Sequence, residues 1–181
     1  GSVAPITNIL IGLFSGLSSG ASVVISQYFG AGNKEKVSEA SHTSMTITLI
    51  SGVVFTVLGV VFSPLMVQMM LRTTEGEVYA PATEYLTIYS CGMMFMLLYN
   101  MGSGILRAVG DSRRPFYYLA VAAVINTGLD FLFVYAFGMG VAGVAYATII
   151  AQGVAALLTV ITLLKTRLDI KIKIRKLKVD K

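Results

Sequence analysis

Residues 113 to 138 read RRPFYYLAVAAVINTGLDFLFVYAFG, an apolar run that holds one acid, Asp130. From Pro115 to Phe137 the run is long enough, at about 1.5 Å per residue, to cross a hydrocarbon layer of about 30 Å. Asp130 then lies within the membrane. An ionisable group at that depth costs about 2.5 to 3.5 kcal/mol on insertion scales and faces a bundle interior or a wet cavity, which makes it a functional candidate by default. Asn126 stands one helical turn earlier, and the i, i+4 spacing puts amide and carboxylate on one face. The plainer alternative is an acid satisfied by helix packing alone.

The rest of the composition agrees with a membrane protein. The chain has 181 residues, 55% of them apolar and 13% charged, with a mean hydropathy of +0.77; soluble domains carry about 25% charged residues. Long apolar runs rather than one amphipathic core predict an all-α, multi-span integral membrane protein. One cysteine, Cys91, excludes an internal disulfide or a CxxC site. His42 is the sole histidine and falls in a polar turn, so the nucleophile and base or metal cluster of an intramembrane enzyme are missing. No enzymatic activity, organic cofactor or nucleic-acid partner is expected. The start, GSVAPITNIL, lacks Met and a basic n-region and enters a span almost at once, so it is read as part of a longer chain and not as a signal peptide.

Five spans are expected, at about residues 5–28, 43–71, 80–106, 115–137 and 141–164. In the first, Gly12, Gly16 and Gly20 form a GxxxGxxxG row, the kind of small-residue face that lets helices approach closely in lipid; it is expected to be buried against a neighbour. Gly30 to Asn33 breaks the helix, and GAGNK lacks the spacing of a phosphate-binding loop. Pro64 is expected to kink the second span. The third carries Tyr85 early, Asn100 late and a cluster of methionines, read as packing. Asp111 or Ser112 can cap the fourth just before Pro115. In the fifth, Thr148 and Gln152 share a face at i, i+4, although an intramembrane Thr often bonds only its own helix backbone.

Charge sorts the loops. Lys34 and Lys36 fall in the first loop, Arg107, Arg113 and Arg114 in the third, and eight basic residues lie from Lys165 onward, against Arg72 alone on the other side. The positive-inside rule puts the loops near 33 and 110 and the tail in the cytoplasm. The tail, residues 165–181, is too short and too basic for a sixth span; it suits a solvated linker or an anionic membrane surface equally.

Three strings, GLSSGASVVISQYFGAGN, LRAVGDSRRP and INTGLDFLFVYAFGMGVAGVAYAT, in this order and spacing, resemble the multidrug and toxic compound extrusion (MATE) transporters. The resemblance implies the second to sixth helices of a six-helix N-terminal lobe. The first helix and a C-terminal lobe, reached through the tail as linker, would be missing partners from the same chain. It further implies secondary active multidrug efflux across the plasma (inner) membrane, with cationic amphipathic compounds exchanged for Na⁺ or H⁺. In this family an acid and an asparagine of the fifth helix couple transport to the ion; they match Asp130 and Asn126. A late fourth-helix asparagine matches Asn100, a sixth-helix threonine matches Thr148, and a fourth-helix tyrosine near the site matches Tyr85. With Gln152, Tyr85 is assigned to the substrate cavity. A further family carboxylate on the first helix has no counterpart in this chain. Na⁺ prefers oxygen donors, which Asp130, Asn126 and Thr148 supply; a buried carboxyl can instead take a proton that a cation would displace. Two readings compete with efflux. One is a related flippase for lipid-linked sugars or peptidoglycan precursor, whose pyrophosphate calls for central basic residues absent from these spans; the other is a non-transporting structural membrane subunit.

Overall fold

Six α-helices occupy the residues that the computed structural model describes, 4–72 and 76–166: α1 (Ala4–Gly30), α2 (Lys34–Leu71), α3 (Tyr79–Cys91), α4 (Met93–Ala108), α5 (Arg113–Asp130) and α6 (Gly140–Lys165). The basic tail beyond Thr166 and the middle of the Arg72 to Val78 loop lie outside the described residues.

α2 has 38 residues, roughly 57 Å of helix, against the 20 or so residues that a bilayer needs. The surplus is the polar stretch from Lys34 to His42, which continues the membrane helix without a break. Asn33 starts it: its side-chain oxygen accepts from Lys36 N at 3.1 Å, satisfying one of the orphan donors of the first turn. The helical run passes through Pro64 without interruption.

The third span differs from expectation. It is two helices, α3 and α4, that meet at Gly92, whose amide donates to Tyr89 O at 3.0 Å, three residues back instead of four. A Cβ on Gly92 would come within 2.7 Å of Ile149 Cγ1 on α6, so the tightened turn coincides with a close helix approach. The two halves still run as one rod along α2, as the antiparallel register shows: Val67 clusters with Ala82 and Leu86, Ser63 bonds Thr87 at 2.6 Å, Gly59 abuts Ser90, and Gly52 abuts Met94 beyond the break.

α6 is the central post, packed against α3, α4 and α5. Its buried face is Gly143, Ala147, Ala151, Ala155, Thr159 and Leu163, small residues near i, i+4 spacing that admit close neighbours. Thr159 sits directly on Gly102 of α4. Tyr118 of α5 bonds Thr162 of α6 at 2.5 Å, and Tyr99 OH donates to Pro115 O at 3.0 Å. α1 meets α4 through Ser18, whose hydroxyl donates to Asn100 O at 2.6 Å. Gly104 lets Ser18 and Ser22 approach that close.

The glycine row of α1 is not the packing face. Phe14, Ser18 and Ile25 are buried, whereas a Cβ on Gly12, Gly16 or Gly20 would meet nothing within 4 Å. The expectation that this face packs against a neighbour fails among the described residues, because the serines and larger residues between the glycines carry the α1–α4 contact.

The α5 span ends unusually. After Asp130 the helix widens into a π-helical segment, Phe131–Ala136, in which Phe137 N reaches Leu132 O five residues back, at 3.1 Å. Gly138 and Gly140, at φ 63° and 61°, then turn the chain into α6. Counting α3–α4 as one rod and α5 with its π-helical end as another, the described residues form five helical rods. α2, α5 with its extension, and α6 are each long and apolar enough on their own. Apolar side chains such as Phe116 and Val124 of α5 and Tyr135 of its π-helical extension stand well exposed, where a bilayer supplies the missing apolar environment.

Candidate functional site

Asp130 is the last α-helical residue before the π-helical segment. Such widened turns inside helices recur at functional sites, because the extra residue re-aims side chains and loosens the hydrogen-bond ladder. Its Oδ1 is shielded from solvent and has no hydrogen-bond partner, and neither has Nδ2 of Asn126, one turn earlier on the same face. Gln152 Oε1 of α6 is in the same condition. Thr56 and Thr83 also hold unpartnered hydroxyls, so want of a partner is not peculiar to this site. Asp130 differs from them in being ionisable, and an uncompensated carboxylate is far costlier than a hydroxyl.

Tyr85 of α3 lies within electrostatic reach of Asp130. Its ring stacks on Tyr89, centroids 5.9 Å apart and planes 14° from parallel. Tyr89 in turn borders a cavity of about 10 Å³, room for one water-sized body, together with Gly92, Met96, Thr148 and Gln152. Thr148 and Gln152 thus share one small cavity with Tyr89, and Tyr85 is joined to it by its stacking on Tyr89. Tyr89 was not singled out in the sequence, although its i, i+4 repeat with Tyr85 was there to be read.

Thr148 donates its hydroxyl proton to Val144 O at 3.0 Å, the helix-internal bond that its chemistry favours, and its oxygen lone pairs remain for another donor or a cation. Asn100 sits apart. Its Nδ2 donates to Met96 O at 2.8 Å, its backbone oxygen accepts from Ser18, and among the described residues no hydrogen bond joins it to Asp130, Asn126 or Thr148. Nor do the described residues hold any group of three or more His, Cys, Asp or Glu side chains. The unpartnered oxygens of Asp130 and Gln152 are of the kind that a hard cation takes as donors. Lys34, Lys36, Arg72, Arg107, Arg113, Arg114 and Lys165 all lie at helix ends or beyond.

Comparison with known proteins gives concordant results. The family model described as MatE matches residues 1–132. The chain is 36% identical over 167 residues to the probable multidrug resistance protein YoeA of Bacillus subtilis, covering 90% of this chain and 35% of that protein. Among solved structures it is similar to the inward-facing conformation of a multidrug resistance MATE family transporter of the MOP superfamily, at a TM-score of 0.89 and 30% identity over 98% of this chain. It is also similar to a MOP superfamily transporter from Pyrococcus furiosus, at a TM-score of 0.91 and 30% identity; that structure's description reports a binding pocket of reverse polarity, suggesting a different function for that protein. The chain spans about 40% of those solved chains.

Proposed function

From the premise that this chain belongs to the MatE family, we propose that it is the greater part of one lobe of a secondary active multidrug efflux transporter, completed by a first helix and a second lobe. Asp130 is its coupling group. The observation that carries this reading is the solvent-shielded, unpartnered Asp130 Oδ1 at the junction of α5 with its π-helical extension. An acceptor buried without a donor is satisfied either by a proton on the carboxyl or by a cation, and both are what an antiporter exchanges.

In this reading Asp130 binds Na⁺ or H⁺ with neutral oxygens from Asn126 and Thr148. Asn100, bonded within α4, contributes to the shape of the lobe. Tyr85 and Gln152 line the space next to the site, where cationic amphipathic substrates meet the acid, aromatic rings and methionines. Ion entry favours release of substrate because the two conformations of the lobe bind the ion with different affinity, and only such a difference can couple the two. Among the described residues Lys and Arg lie at helix ends or beyond, which favours cationic cargo over pyrophosphate-linked lipids. By the charge of the loops, the turns near residues 33 and 110 and the tail face the cytoplasm.

The test is Asp130→Asn in the complete transporter, reconstituted in vesicles with an imposed Na⁺ or pH gradient. The substitution keeps size and most hydrogen bonding but removes the titratable charge. Gradient-driven export of a fluorescent cation is expected to vanish while insertion stays normal. Export at the wild-type rate with an unchanged ion response makes Asp130 a packing acid and sinks the reading.

A further inference from the structure

We propose that the end of α2 from Pro64 onward and the whole of α3 form one hairpin that pivots against the rest of the lobe, at the level of Val60 on α2 and of Gly92 between α3 and α4. Both limbs are weakened at that level. Pro64 has no amide proton, so Val60 O loses its helix-internal donor, and Ser63 Oγ donates to it instead at 3.1 Å. On the other limb the Gly92 amide donates to Tyr89 O, three residues back, and α3 ends at Cys91. The antiparallel register sets the two weak points side by side, because a Cβ on Gly59 would come within 2.6 Å of Ser90 Oγ. Sharp helix bends occur at proline and where glycine and serine lie together. One weak limb would be splinted by its neighbour, whereas two at one level leave no splint.

Beyond the pivot the hairpin holds itself together. Val67, Ala82 and Leu86, with Met66, Leu71 and Tyr79, form an apolar cluster whose members all lie within it. Ser63 and Thr87 share a hydroxyl bond at 2.6 Å; since Ser63 donates to Val60 O, Thr87 is the donor, and a hydroxyl chain ties α3 to the weak point of α2. α4 is anchored elsewhere: Asn100 O accepts from Ser18, Tyr99 donates to Pro115 O, and Thr159 sits on Gly102. It buries most of its length, α3 only Ala82, Leu86 and Ser90. Across the break Tyr89 OH donates to Met96 Sδ at 3.6 Å, and a thioether is a weak acceptor that gives way readily. Ile149 of α6 meets Gly92 at the pivot itself, where a swing displaces least. The cavity of about 10 Å³ lies on this seam, between Tyr89 of the hairpin and Met96, Thr148 and Gln152 of the fixed part. A swing therefore moves the Tyr85–Tyr89 stack relative to Thr148 and Gln152, and its use in opening and closing the site rests on the transport reading above.

A pivot of about 20° moves Met69, roughly 14 Å beyond Val60, by about 5 Å. In the complete transporter carrying Cys91→Ala, spin labels at Met69→Cys and Val141→Cys, both exposed in this chain, are expected to show two distances separated by that displacement when read by double electron–electron resonance in nanodiscs. Their proportions should shift on adding Na⁺ or tetraphenylphosphonium. Labels at Ile50→Cys and Leu157→Cys, which report the body of the lobe, should show one distance throughout. Pro64→Ala restores the amide that bonds Val60 O, and Gly92→Ala combined with Ile149→Ala favours helix at the break while making room for the added methyl. Each should reduce the hairpin pair to one distance and slow export at least threefold, and either suffices should the other fail to fold. Asp130→Asn should keep both hairpin distances while abolishing gradient-driven export, so failure of the pivot and failure of the transport reading are seen separately. One hairpin distance under every condition, two that survive both stiffening variants, or an equal change in the control pair overturns the proposal.

Discussion

Gly16 and Gly104 belong to the same bundle and face opposite fates on substitution. A side chain on Gly104 would come within 2.5 Å of Ser22 Oγ and 2.6 Å of Ser18 Oγ, the contact by which α1 sits on α4, and overpacking of that kind costs about 1 to 3 kcal/mol. Gly104→Val should therefore lower the unfolding midpoint in detergent by several degrees, whereas Gly16→Val should leave it nearly unchanged. Equal effects would mean that the open row of α1 is covered after all. At the candidate site the gradation is chemical. Asn126→Ala and Thr148→Ala remove neutral oxygens and keep the carboxylate, so each is expected to weaken the ion dependence of export several-fold without abolishing it, as read from initial rates against Na⁺ concentration and pH. Residue identity made Asp130, Asn126, Thr148 and Gln152 legible in the sequence, since polar atoms inside apolar runs need a reason. It could not show that the Asn100 amide is spent on Met96 O, because that depends on a rotamer.

At the scale of elements, two features escaped the apolar pattern: the break at Gly92 and the π-helical end of α5. An isolated Gly in a helical run is either tolerated or used for close approach, and the decision at Gly92 rests on Ile149 of another helix. A π-helical turn keeps the same residues and the same apolar character; only the hydrogen-bond ladder changes. Its exit is conformationally demanding. Gly138 and Gly140 hold positive φ, a region that costs an L-residue with a side chain about 1 to 2 kcal/mol. Gly138→Ala is expected to destabilise the α5–α6 hairpin by about that amount. Denaturant unfolding in mixed micelles measures it, and an unchanged midpoint would show that the turn relaxes freely.

For the whole molecule, the orientation prediction follows from charge. With the exposed Cys91 replaced by Ala, a cysteine introduced at Gly76 should react with a membrane-impermeant maleimide in intact cells, and one introduced at Asn33 only after permeabilisation. The reverse pattern would invert the lobe and with it the direction proposed for the coupling ion. The sequence by itself determined that this is an all-helical membrane protein and singled out the candidate acid, because burial in lipid demands continuous apolar runs and penalises any charge within them residue by residue. Only the tertiary structure decided which face of each helix is spent on packing. The GxxxGxxxG row of α1 looked like an interface and meets no neighbour among the described residues, while Ser18, Ser22 and Gly104 make the contact. The physical reason is that close approach depends on the pairing of two surfaces, and a row of small residues on one helix says nothing of what its neighbour presents. The same holds for the bond that Tyr99 makes to Pro115: the residue is local, and the partner that gives it its role is supplied by the fold.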